Sequence, residues 1–233
     1  MRLAVIPARG GSKRIPRKNI RPFCGRPMIA WSIRAATESG CFDRVIVSTD
    51  DEEIAVVARE NGAEVPFMRP AELSDDYTGT SPVIAHAIAA MEAIASTPIA
   101  DVCCIYATAP FVLPADLRHG LEILHQSGAE FAFSVTSYAF PIQRAVRITG
   151  DGRIAVFQPE HLATRSQDLE EAWHDAGQFY WGRSSAWKSG TPIFGSASAP
   201  VRLPRHRVQD IDTPEDWERA EWMFRSLAAR DAV

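Results

Sequence analysis

Arg9, Lys13, Arg14, Arg17 and Lys18 place five cations within ten residues, with Gly10, Gly11 and Ser12 among them and Asn19 directly behind. The run follows Leu3-Ala4-Val5-Ile6, an apolar stretch that reads as a buried first strand. Glycine lets backbone N–H groups come close to phosphate oxygens, and lysine and arginine neutralise charge. The combination therefore suits a polyanionic phosphate ligand. The segment lacks both G-x-x-x-x-G-K-[ST] and G-x-G-x-x-G, which sets it apart from the Walker and dinucleotide loops. Without further context, a solvated surface loop is an equal reading of such a cationic run.

Asp210 and Asp212 form a second pattern. On an extended chain, residues i and i+2 share a face, so two carboxylates beside phosphates would present oxygen ligands to Mg²⁺. Thr213-Pro214-Glu215 also reads as a helix start, which makes capping the competing role for one of these acids. A third set lies earlier in the chain. Phe140-Pro141-Ile142-Gln143-Arg144 and Trp173-His174-Asp175-Ala176-Gly177-Gln178-Phe179-Tyr180-Trp181 mix aromatic walls with polar groups, as small-molecule pockets do. Period-2 alternation sends about half of the aromatics after Gln178 into the core instead. The histidines form no metal-binding set.

Alternating strands and helices must position these groups. Strands are expected at residues 3–7, 44–49, 64–68, 102–106 and 131–136, with helices at 27–39, 52–61, 82–95 and 114–126. Pro27 suits a first helical turn, Gly40 a stop, and Ser81 a cap. This rhythm predicts an α/β, doubly wound, mostly parallel sheet that binds ligands at the carboxyl ends of its strands. It breaks after residue 136. Residues 145–148 and 154–157 flank Thr149-Gly150-Asp151-Gly152, a hairpin signal. Residues 158–178 look irregular, strands are expected at 178–181 and 207–211, and a helix at 214–229. With no linker or repeat, one domain over 1–233 is expected, with residues 137–178 as a protruding β segment. The net charge of −4 excludes general attraction to nucleic acid or membrane. The residues after Arg2 are too short an apolar run for a signal peptide, and Cys24, Cys41, Cys103 and Cys104 lack metal spacing. A reduced, cytoplasmic protein is expected.

Residues 7–19, together with Phe42-Asp43-Arg44-Val45-Ile46-Val47-Ser48-Thr49-Asp50, Arg69-Pro70-Ala71-Glu72-Leu73 and Gln209-Asp210-Ile211-Asp212-Thr213-Pro214-Glu215-Asp216, carry a family resemblance. In this order, and over nearly the whole chain, the sequence resembles the CMP-sugar synthetases that activate nine-carbon ulosonic acids. The resemblance implies a Rossmann-like nucleotidyltransferase that binds CTP, uses Mg²⁺ and joins CMP to the sugar's 2-hydroxyl, releasing pyrophosphate. By position, it implies that Arg9, Gly11, Ser12, Lys13 and Asn19 contact the triphosphate. Lys18 would stand at its reacting end, and Arg69 near the cytosine. Asp210 and Asp212 would hold the metal and, with Lys18, carry catalysis. Gln143, Arg144, His174, Gln178 and Tyr180 would contact the sugar. Residues 140–145 and 173–181 are similar to the branch that activates pseudaminic acid, a sugar with a terminal methyl and two acylamino groups. Tyr106 and Val112 stand where the sialic acid branch carries glutamine and arginine. N-acetylneuraminic and legionaminic acids are thus the alternative acceptors. The family further implies a homodimer in which the protruding segment reaches the partner's site. A nucleotide-binding module without catalysis is the contrasting reading, against which the loop and the aspartate pair stand together.

Overall fold

The computed structural model describes residues 1–231. Six strands build its central sheet: β1 (Arg2–Pro7), β4 (Arg44–Ser48), β5 (Asp101–Ile105), β6 (Phe131–Ser137), β9 (Trp173–Arg183) and β10 (Ser198–Arg202). Their order across the sheet is β10-β6-β9-β5-β1-β4. Two small hairpins, β2 (Pro22–Phe23) with β3 (Arg26–Pro27) and β7 (Val146–Ile148) with β8 (Ile154–Val156), lie outside it. The helices are α1 (Met28–Ser39), α2 (Glu52–Glu60), α3 (Thr80–Ala95), α4 (Pro114–Ser127), α5 (Ser184–Ser189) and α6 (Pro214–Asp231). Strand β1 pairs in parallel with β4 and β5, and β10 with β6, whereas β9 runs antiparallel between β5 and β6.

Period-2 alternation sorts the sheet's residues between two apolar layers. Ala4, Ile6, Cys103 and Ile105 face one layer, against Ile29 and Ile33 of α1 and Leu117 and Leu121 of α4. Leu3, Val5, Val102 and Cys104 face the other, against Ile84 and Ile88 of α3 and Trp187 of α5. Helices on both faces are what a doubly wound sheet requires. Burial pushes the Cys103 and Cys104 thiols up, as expected of cysteines that serve as packing. Gly40 (φ 67°) and Gly128 (φ 69°) end α1 and α4 in the left-handed conformation that glycine adopts without strain. A third apolar cluster joins Ile15 and Phe23 of the first loop to Ile211, Trp217 and Ala220 near the C-terminus. Ile15 is 1% exposed and Ile211 fully buried, and each such burial is worth about 1.5–3 kcal/mol.

Several expectations are corrected. Residues 64–68 form no strand: only Glu64 bridges to Ile46, and Pro66 has no N–H to extend the ladder. Residues 207–211 are not a strand but a single turn at Arg205–Arg207 followed by irregular chain. One edge strand is β10, unexpected because Pro200 interrupts its sequence; Pro is tolerated at an edge. Strand β9 has eleven residues and begins at Trp173 rather than 178. A register shift opposite Phe133 and Val135 and a left-handed Gly177 (φ 62°) disturb its alternation. Helix α3 starts at Thr80, after Gly79, with no side-chain cap, so Ser81 lies inside its first turn.

Residues 138–172, which carry the β7–β8 hairpin, are rich in exposed apolar groups, with Phe140 83%, Ile148 80% and Ile154 73% exposed. Among the described residues no helix is long and apolar enough to cross a membrane.

Candidate functional site

The carboxyl ends of β1 and β5 open onto one cleft. The loop after β1 is shaped by its own packing. Gly10 donates its N–H to Asp50 Oδ1 at 3.0 Å, and a Cβ there would lie 2.6 Å from Asp51 Oδ2, so a larger residue would have to displace the Asp51 carboxylate. Arg17 takes a left-handed backbone (φ 57°) and pairs with Asp51 at 2.5 Å and with Glu53. Asp51 also caps α2 by accepting from the Ile54 N–H. The Arg17 hydrogen bond, chiefly, holds the Asp51 carboxyl below the usual carboxylate range. Arg17 thus ties the loop to α2. Asn19, nearly buried, donates to the Arg9 carbonyl at 3.0 Å and closes the loop.

The cleft has a volume of about 470 Å³. Arg9, Ser12, Lys13, Lys18 and Asn19 line one wall, with Arg69, Tyr106 and Asp212 around the rest. Gly11 sits in the loop without lining the cleft. Lys18 Nζ donates to the Ile211 carbonyl at 2.7 Å and to Asp212 Oδ1 at 3.2 Å, while Arg14 holds the other Asp212 oxygen at 2.8 Å. The Ile15–Ile211 packing brings these two distant segments together. Arg9 and Lys13 both pair with Asp76, at 2.6 and 2.5 Å.

Arg69 is the most telling residue in the cleft. It is 6% exposed, yet among the described residues its Nε and Nη2 have no hydrogen-bond partner. Nη2 does have an ion-pair partner, Asp50 Oδ1, at 3.5 Å, too long for a good hydrogen bond. Burial lowers its pKa, against the pull of Asp50. A buried donor left unmade costs about 1–3 kcal/mol, more if charged, so Arg69 carries a cost that an added acceptor would offset.

Asp210 stands two residues before Asp212, outside the cleft lining. Desolvation of its carboxyl and then the charge of Asp212 push its pKa up, partly offset by Lys18. Among the described residues no cluster of three metal-ligating side chains occurs. Mg²⁺ needs only one or two carboxylates when phosphate oxygens and water complete its shell, and two mutually repelling carboxylates fit that demand.

A second pocket of about 390 Å³ shares Thr80 and Tyr106 with the cleft and adds Asp175, Tyr180, Thr191 and Phe194. Tyr180 donates its hydroxyl to Asp175 Oδ2, and the Tyr106 and Tyr180 rings lie 5.3 Å apart. The other expected sugar contacts line neither pocket within this chain. His174 donates from Nδ1 to the Asp175 carbonyl at 2.8 Å and packs on Tyr138. Gln178 is buried and ties β9 to the Arg207 carbonyl at 2.6 Å. Gln143 donates to the Glu170 carbonyl at 3.0 Å and Arg144 to that of Thr164 at 2.5 Å, so both stitch the protruding segment together. The β9 register shift decides which side chains reach the pocket, and a single sequence does not display it. Sequence reasoning missed Thr80, Asp175, Thr191 and Phe194 as pocket residues. Asp175 lay inside a stretch already singled out, and its acidic side chain among aromatics was the available signal.

A family model described as "Cytidylyltransferase" matches residues 3–188. The chain is 46% identical over 224 residues to "Pseudaminic acid cytidylyltransferase" of Campylobacter jejuni, covering 96% of each chain. It is 33% identical to "CMP-N,N'-diacetyllegionaminic acid synthase" of Legionella pneumophila over 94% of each. Among solved structures, a CMP:2-keto-3-deoxy-manno-octonic acid synthetase complexed with CTP shares the fold, with a TM-score of 0.68 at 17% identity over 99% of each chain.

Proposed function

This chain belongs to the cytidylyltransferase family, and from that premise we propose that it transfers CMP from CTP to the 2-hydroxyl of pseudaminic acid, releasing pyrophosphate. The likeness to the Campylobacter enzyme along 96% of both chains supports the acceptor. The observation that carries the reaction is the cleft itself, where a cationic loop and the buried Arg69 line one volume.

CTP lies along this cleft. Arg9 and Lys13 exchange Asp76 for phosphate oxygens, and Ser12 and Asn19 border the same wall. Arg69 donates to the cytosine, whose carbonyl and ring nitrogen are acceptors. Lys18 stands where the first loop meets Asp212 and stabilises the charge that grows on departing pyrophosphate. The sugar occupies the adjoining pocket, so that its 2-hydroxyl meets the α-phosphate across Thr80 and Tyr106. Asp210 and Asp212 would hold Mg²⁺, which when bound neutralises phosphate charge and lowers the pKa of a hydroxyl. The protein works as a homodimer in the cytoplasm, with residues 138–172 covered by the second copy. The exposed Phe140, Ile148 and Ile154 support the first statement, and four free cysteines support the second.

Incubation with CTP, Mg²⁺ and pseudaminic acid, followed by mass spectrometry, tests the reading. The expected result is a CMP-sugar adduct together with pyrophosphate. CTP that remains intact with every nonulosonic acid would overturn it.

A further inference from the structure

The pocket beside Tyr106 is lined by one charged side chain among the described residues, and it is an acid, Asp175. That is unexpected in a pocket assigned to a sugar acid, because two carboxylates face each other only at a cost. Asp175 is also held in place. Its Oδ2 accepts from the Tyr180 hydroxyl and its Oδ1 from the Gly177 N–H at 2.8 Å, in a turn where Gly177 is left-handed (φ 62°). Burial pushes the Tyr180 phenol up, which keeps it an O–H donor to this carboxylate. A carboxylate has about four acceptor positions and, when ionised, no donor. Two are filled from within the protein, which leaves two for a ligand in a pocket that sets Pro192, Ile193 and Phe194 beside the hydroxyls of Thr80, Ser81 and Thr191.

We infer that Asp175 is the specificity-determining residue of the acceptor pocket: its fixed carboxylate accepts an amide N–H from an acylamino group of the sugar and turns the sugar's own carboxylate away. The inference rests on the pseudaminic acid reading above. It sets the orientation of the substrate. The acylamino side lies against Asp175, with its methyl groups on Ile193 and Phe194. The sugar carboxylate points to the end shared with the cationic cleft, at Thr80 and Tyr106.

The test is steady-state pyrophosphate release with pseudaminic acid, comparing wild type with Asp175→Ala and Asp175→Asn. It includes analogues in which either acylamino group is replaced by the corresponding ester, which lacks the N–H. A hydrogen bond to a charged group predicts a loss in kcat/KM for the sugar of about tenfold to a hundredfold in Asp175→Ala. Wild type loses a similar factor on one of the two esters, and Asp175→Ala does not distinguish that ester from the amide. The KM for CTP stays within about twofold of wild type. Asp175→Asn, which keeps the shape and one acceptor, falls between, and guards against a folding defect in the alanine variant. Wild-type kcat/KM in Asp175→Ala, or equal losses toward CTP and sugar, would overturn the inference and leave the proposed reaction standing. Failure of the wild type to use pseudaminic acid would remove both.

Discussion

At the scale of single residues, the cleft is defined by groups whose own partners are incomplete or replaceable. Arg69 is buried, its Nε without a partner and its Nη2 only 3.5 Å from Asp50, so a pyrimidine acceptor that reaches it would offset an existing cost. Arg69→Ala should raise the KM for CTP by about tenfold to a hundredfold, the range for a hydrogen bond to a charged group, with a smaller effect on kcat. Asp76 acts in the opposite sense. Its carboxylate pairs with Arg9 and Lys13 where phosphate is expected, and these pairs are largely exposed. Such pairs are weak, so Asp76→Asn should tighten CTP binding by no more than about fivefold, measured by calorimetry. Lys18→Ala should lower kcat by about a hundredfold or more while leaving the KM for the sugar little changed, as loss of a charge-stabilising donor does. The basic loop was legible from residue types as a cluster of cations, with a phosphate site and a solvated surface run as equal readings. Asp76 was not, because its role depends on a fold that brings it across 63 residues to Lys13.

At the scale of elements, regular alternation made β1, α1, β4, α2 and α4 readable. Elements that break the period were not. The register shift in the β6–β9 pairing is invisible to a period-2 reading, which therefore does not show that His174 and Gln178 turn to backbone carbonyls. Pro200 concealed β10, and the extended look of residues 207–211 came from a segment that leaves a single turn and runs free of the sheet. The first loop depends on its tie to α2 through Arg17 and Asp51. The folded pKa of Asp51 lies below its unfolded value, so the pair stabilises the protein above about pH 4 and this contribution is lost as pH falls through the folded pKa. The wild-type thermal midpoint should therefore fall more steeply from about pH 5 to pH 3 than that of Asp51→Asn, read by differential scanning calorimetry.

At the scale of the molecule, parallel strands β1, β4 and β5 deliver their loops to one edge, and the C-terminal segment returns to that edge through the Ile15–Ile211 cluster. The projecting residues 138–172 leave Phe140, Ile148, Ile154 and Phe157 exposed, an apolar surface suited to a second copy. On the proposed homodimer, the wild type should scatter light as a dimer and Ile148→Glu combined with Phe157→Glu as a monomer, with the folded core intact by circular dichroism; a monomeric wild type would contradict it. The acceptor pocket determines which CMP-sugar the protein makes. The most direct measurement is kcat/KM for pseudaminic acid against N-acetylneuraminic and legionaminic acids, with CTP and Mg²⁺ saturating. A preference for pseudaminic acid of about a hundredfold or more is the predicted result, the scale set by a buried polar contact that one substrate makes and another does not. Equal or greater kcat/KM for N-acetylneuraminic acid would contradict it.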